Sequence, residues 1–95
     1  MTYVEWSVQA SEDRVAIFDY LETDSRAAAS RLDDRIEANV ERLAGFPEIG
    51  RPGRIDGTRE LVIAQTPYIV AYTFLGDVVT ILRILHGAQL WPGEF

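Results

Sequence analysis

All nine basic residues of this 95-residue chain are Arg, and Lys is absent. A guanidinium makes planar, two-pronged pairs with carboxylate or phosphate, whereas an ammonium acts as a solvated point charge. Arg51, Arg54 and Arg59 fall close together against one acid, Asp56. That local excess could hold an anion although the chain carries a net charge of -6, because salt screens the distant acids beyond about 8 Å. Further along, Arg83 and His86 sit at the end of an apolar run. His86 is the single histidine, the residue type whose ordinary pKa lies nearest neutrality. Arg59, Arg83 and His86 are therefore residue types able to hold an anion or exchange a proton. Each also has a plainer reading: Arg83 paired with a helix acid, His86 capping a strand, Arg59 and Glu60 in cross-strand pairs. One His, no Cys and scattered acids make no metal-ligand cluster, so neither a metal nor a cofactor is expected.

The elements that must position these groups are legible from periodicity. Thr58–Ala64 (TRELVIA), Tyr68–Leu75 (YIVAYTFL) and Val78–His86 (VVTILRILH) read as strands divided by Gln65-Thr66-Pro67 and by Gly76-Asp77. The two-residue Gly76-Asp77 link fits a tight hairpin, so the three runs form an antiparallel meander. In the middle run Tyr68, Val70, Tyr72 and Phe74 share one face, and Ile69, Ala71, Thr73 and Leu75 the other. Both faces are apolar, so both must be covered, or one must be offered to a partner. The first half of the chain is expected to do the covering.

Tyr3–Trp6 is a fourth, short strand candidate. From about Ala10 to Glu22 the pattern is helical, with Arg14, Ile17, Phe18 and Leu21 on one stripe and Ser11, Glu12 and Asp13 at its start. Arg14 interrupts that stripe. Thr23, Asp24 and Ser25 supply a break and an N-cap, after which Ala29, Leu32, Ile36, Val40 and Leu43 recur at helical spacing until Gly45 and Pro47 end the helix. The Asp33, Asp34, Arg31, Arg35 and Glu37 side reads as solvated. Phe46–Gly57 is a loop rich in Gly, Pro and Arg, of the kind that presents binding groups. Trp91, in the tail, is a plug on the sheet or an exposed anchor.

The chain length suits one domain, residues 1–95, of α+β class in the order β-α-α-β-β-β. No apolar run approaches the ~20 residues of a membrane span and no signal peptide is evident, so a cytoplasmic location is expected. Ten acids and five Arg in residues 1–45 disfavour strong binding of free nucleic acid.

The ordered set of Trp6, the DYL-ending helix, FPEIGR, GTREL, TPYIVAY and ILRILHGAQ-WP, covering essentially the whole chain, resembles the RelE/ParE toxin superfamily of type II toxin-antitoxin systems. The resemblance implies two N-terminal helices packed on a small antiparallel sheet and a cognate antitoxin that wraps and neutralises the toxin in a hetero-oligomer. RelE-like members cleave ribosome-bound mRNA, whereas ParE-like members poison DNA gyrase. The RelE-like pattern commonly has Arg after the first Tyr of the middle strand and a Tyr near the C-terminus. Here Ile69 follows Tyr68, and Trp91 lacks a hydroxyl. These departures favour a ParE-like gyrase inhibitor, plasmid-stabilisation style, over an mRNA endonuclease, which would use Arg59, Arg83 and His86. A non-toxic interaction module is the third reading. Target contact is then expected at Arg51, Arg54, Arg59, His86 and Trp91. Antitoxin contact is expected at exposed apolar residues of hairpin and sheet, namely Phe18, Leu21, Leu32, Ile36, Tyr68 and Tyr72, through a segment carrying basic residues.

Overall fold

A computed structural model describes residues 1–95. Its elements are β1 (Tyr3–Trp6), α1 (Val8–Glu22), α2 (Arg26–Gly45), β2 (Arg51–Pro52), β3 (Arg59–Val62), β4 (Tyr68–Leu75) and β5 (Val78–His86). They form one five-stranded sheet in the order β1-β5-β4-β3-β2. The β3-β4-β5 meander is antiparallel as expected, with Gly76 at φ +63° in the two-residue β4–β5 turn. β1 joins the far edge parallel to β5, Tyr3 opposite Val78 and Trp6 opposite Ile81, so the sheet is mixed rather than purely antiparallel. The parallel pairing follows from the connection, because the whole helical hairpin lies between β1 and the meander.

α1 starts earlier than its apolar periodicity suggests. Ser7, not Ser11, caps it: the Ser7 hydroxyl accepts from the Ala10 N–H at 3.0 Å and donates to the Leu82 carbonyl at 2.8 Å. The Ser7 N–H donates to the Ile81 carbonyl at 2.9 Å. β1 therefore satisfies the first half of the β5 edge, and the start of α1 satisfies the next part. There the β4–β5 register shifts between Ala71 and Tyr72, and Asp13 accepts the Ile84 N–H at 2.9 Å while holding Arg83 through two bonds of 2.7 and 3.0 Å. Helix α2 begins after Ser25, whose hydroxyl accepts from Ala28 N–H. Arg14, the interruption in the α1 stripe, is paired across the hairpin with Asp33 at 2.7 Å and with Glu37, and it lies over the Trp6 ring.

The helices lie on one face of the sheet. Ala10 from α1 and Ile36, Val40 and Leu43 from α2 pack with Leu61, Ile63, Val70, Tyr72, Val79, Ile81 and Ile84. This burial corrects two expectations. Ile36 and Tyr72, expected to contact the antitoxin, are 1% and 0% exposed, because the apolar stripe of α2 and the Val70–Tyr72 face of β4 belong to one core. The Tyr72 hydroxyl is committed internally, accepting from the Gly50 N–H and donating to the Pro47 carbonyl, both at 2.9 Å. A Cβ on Gly50 would fall 2.5 Å from that hydroxyl oxygen, so only Gly fits there.

The other face carries Ile69, Ala71 and Leu85, also buried. No helix covers it. The Arg51–Asp56 turn and the tail after His86 do so instead, which the first half of the chain alone was expected to achieve. The Trp91 ring stacks 3.5 Å from the Arg54 guanidinium carbon, and its indole N–H donates to the His86 carbonyl at 3.1 Å. Trp91 is thus the half-buried plug of the two alternatives.

Candidate functional site

Three places gather the polar groups. On the tail-covered face, Glu60 is 3% exposed and surrounded by cations. Arg51 donates to its Oε1 at 2.9 and 3.2 Å, Arg54 donates through its side chain at 3.0 and 3.3 Å, and the Arg54 N–H reaches Oε2 at 2.9 Å. Burial alone would push this carboxyl up. The Arg54 and Arg51 hydrogen bonds outweigh it and hold the pKa at about 2. The local cationic excess expected around residue 54 is therefore largely spent on an internal anion. Arg51 and Arg54 still expose about half of their side chains beside Trp91, which makes a cation-aromatic surface.

Arg59 stands apart. It turns back to the α2–β2 connection, where it donates to the carbonyls of Glu48 and Gly50 at 3.2 and 3.1 Å. It pairs with Tyr72 on β4, whereas His86 pairs with Tyr68, so the two positions lie four residues apart along that strand, about 13 Å. Arg83 faces α1, neutralised by Asp13 in two bonds that raise the guanidinium pKa further. The fold brings Arg83 and His86 to one hollow, beside Asp13, Tyr20 and Tyr68, and leaves Arg59 outside it.

His86 closes β5, edge-on to Tyr68 with ring centroids 5.5 Å apart. Its Nδ1 accepts the Ala88 N–H at 3.0 Å, which places the proton of the neutral ring on Nε2. It stands at one end of a groove of about 600 Å³ between the helical hairpin and the β3–β4 turn. Of the expected antitoxin-contact residues, Leu21, Leu32 and Tyr68 line this groove. Phe18 does not; it borders a separate hollow with Arg14, Val15 and Asp33. Burial raises the Tyr68 phenol pKa, first by desolvation and then through Tyr20, so Tyr68 is a neutral hydroxyl at ordinary pH.

Sequence reasoning missed two groups. Glu60 was visible only as the lone acid of an apolar strand; its alternation with Leu61 puts it on the face opposite the helices. Arg31 and Arg35, read as part of a solvated side, instead line the groove. Their spacing of four was the available signal, since it puts both on one side of α2 together with Leu32. No group of three His, Asp or Glu side chains is arranged to hold a metal ion, and no helix is long and apolar enough to cross a membrane.

A two-helix hairpin packed on a mixed sheet, with open grooves at its rim, is a fold of the RelE/ParE kind. The sequence profile described as the ParE toxin of the type II toxin-antitoxin system, parDE, matches residues 4–91, and the chain belongs to that family. It is 44% identical over 89 residues to a Sinorhizobium fredii protein named as a toxin, Y4kP, spanning 94% of this chain and 92% of that protein. It is 38% identical over 90 residues to toxin RelE2 of Caulobacter vibrioides, spanning 95% of this chain and all of that one. Among solved structures, a chain of the chromosomal ParDE TA system from P. aeruginosa superimposes with a TM-score of 0.80 at 27% identity, covering 90% of this chain and 96% of that one. The chain is a toxin of a type II toxin-antitoxin system.

Proposed function

We propose that this toxin acts by docking on DNA gyrase and that a cognate antitoxin restrains it. The observation that supports docking over mRNA cleavage is that Arg59 lies outside the hollow shared by Arg83 and His86, and that all three side chains are already engaged. Arg83 is neutralised by Asp13, Arg59 is spent on backbone carbonyls, and one nitrogen of His86 is occupied. Acid-base cleavage of a phosphate ester requires these groups to converge within hydrogen-bond reach of one reacting centre. The target-facing surface is the tail-covered side, where Arg51, Arg54 and Trp91 lie together; half-exposed guanidiniums against a half-buried aromatic ring have the character of protein-interface anchors. The antitoxin occupies the groove between the hairpin and the β3–β4 turn, where Leu21, Leu32 and Tyr68 meet. The net charge of -6 supports a protein partner over free nucleic acid.

Purified toxin added to a gyrase supercoiling reaction should block supercoiling or trap cleaved DNA, while translating ribosomes keep their message intact. Cleavage of transcripts at the ribosomal A site with gyrase unaffected would overturn the proposal.

A further inference from the structure

The groove at the end of the sheet has a charge opposite to that of the molecule. Its lining comprises Tyr20, Leu21, Leu32, Pro67 and Tyr68 with Arg31, Arg35 and His86, and it contains no carboxylate at all. This is unusual in a chain with fifteen acids and nine Arg. Arg14, Arg26, Arg51, Arg54 and Arg83 each pair with an acid; Arg31, Arg35, Arg42 and Arg59 do not, and of these four only Arg31 and Arg35 line the groove. Arg35 instead reaches across the groove to the Ala64 carbonyl and the Gln65 Oε1, each at 3.2 Å, which orients its guanidinium without neutralising it. Gln65 holds its place at φ +65°, the only non-glycine residue in the left-handed region. Such a conformation costs about 1 kcal/mol or more for a residue with a Cβ. The strained residue lies on the rim of this groove.

We infer that the groove receives an acidic amphipathic segment of a partner polypeptide, its apolar side chains seated against Leu21, Leu32 and Tyr68 and its carboxylates paired with Arg31 and Arg35. This deepens the neutralising-partner reading above and rests on it for the partner's identity. It also reverses the charge that the overall acidity of the chain suggested for that partner. Two Arg one helical turn apart, flanked by apolar surface, match a helix with acids one turn apart beside an apolar stripe. A nucleic-acid backbone fits less well, because it would bring many phosphates against an otherwise acidic protein for two cations. A second copy of this chain also carries an acid-rimmed apolar strip, Val8 and Val15 with Glu12 and Asp19 on α1. Joining that strip to the groove is a head-to-tail contact, which closes into a ring only if the rotation permits.

The test uses the full chain and a fluorescein-labelled amphipathic peptide of about four helical turns, with Leu at i, i+3 and i+7 and Glu beside that stripe. Two further peptides carry Gln or Lys in place of Glu. At about 0.15 M salt the Glu peptide should bind roughly tenfold more tightly than the Gln peptide and far more tightly than the Lys peptide. The preference should collapse in the Arg31→Gln/Arg35→Gln variant and persist in Arg42→Gln, on the same helix but outside the groove. Equal affinity for Glu and Gln peptides overturns the inference. So does perturbation of amide signals away from the groove, displacement of the peptide by a single-stranded oligonucleotide, or head-to-tail self-association blocked by Arg31→Gln/Arg35→Gln. Growth arrest on induction is read separately: its absence counts against the toxin reading, while the peptide series still decides the chemistry of the groove.

Discussion

Glu60 carries more of the fold than its position in a short strand suggests. Its carboxylate is where the Arg51–Arg54 turn, β3 and, through the Arg54–Trp91 stack, the tail converge. A carboxyl with its pKa lowered to about 2 from the usual 4.5 stabilises the fold above pH 4.5 and loses that contribution as the pH falls toward 2. Discounted for the half-exposed guanidiniums, the contribution is on the order of 2 kcal/mol. Glu60→Gln should therefore lower the urea midpoint at pH 7 by the equivalent of about 2 kcal/mol, and the gap to wild type should narrow steadily between pH 4.5 and pH 2. A gap independent of pH would mean that the loss comes from packing and not from ionisation. Tyr72 makes a second residue-level prediction. Tyr72→Phe removes the group that satisfies the Gly50 N–H inside the protein, at a cost of about 1–3 kcal/mol, measurable as a lowered melting temperature. Neither role could be read from the sequence. Alternation assigned Tyr72 to the same face as Val70 correctly, but whether that face met α2 or solvent depends on which side the hairpin docks. Glu60 needed the β2–β3 pairing, two residues long and hidden in a Gly- and Pro-rich loop.

At the level of elements, the meander and both helices were legible because each satisfies a local rule: β-branched runs, a Gly at positive φ in a two-residue turn, and the Ala29–Leu43 stripe. The start of α1 was not, because Ser7 is chosen by its bonds to Ile81 and Leu82, far away in sequence. Non-local hydrogen bonds override local capping preference whenever one side chain can satisfy both ends. The same edge explains Asp13. At the register shift in β5 the Ile84 N–H has no strand partner and takes the Asp13 carboxylate instead, with Arg83 completing the set. Asp13→Ala leaves a half-buried guanidinium and an unpaired N–H together, and it should cost about 2–4 kcal/mol. Hydrogen exchange at Ile84 should accelerate by more than at Tyr72 in the same variant. Uniform acceleration across β4 and β5 would show that Asp13 supports the whole sheet and not the shifted edge.

Across the whole molecule, the two sides of the sheet are covered by different material, and this separates the surfaces offered outward. The helical side ends in a cationic groove, while the tail side presents Arg51, Arg54 and Trp91. The candidate target residues could be drawn from composition, but their division between sides could not, since the side chains of Arg59 and His86 turn to the α2–β2 connection and to the groove although their backbones adjoin the tail-side residues. If the sides serve different partners, single changes should uncouple them. Arg51→Gln suits the tail side, because Arg54 continues to hold Glu60 through its side chain and its N–H, and a half-exposed pair contributes about 1 kcal/mol or less. It should weaken gyrase inhibition several-fold with the urea midpoint nearly unchanged, and leave capture by the neutralising partner intact. Arg31→Gln/Arg35→Gln should do the reverse, keeping gyrase inhibition while partner capture and growth rescue fall together. Both variants losing both activities at unchanged stability would place antitoxin and target on one shared surface, making neutralisation a matter of direct competition between them.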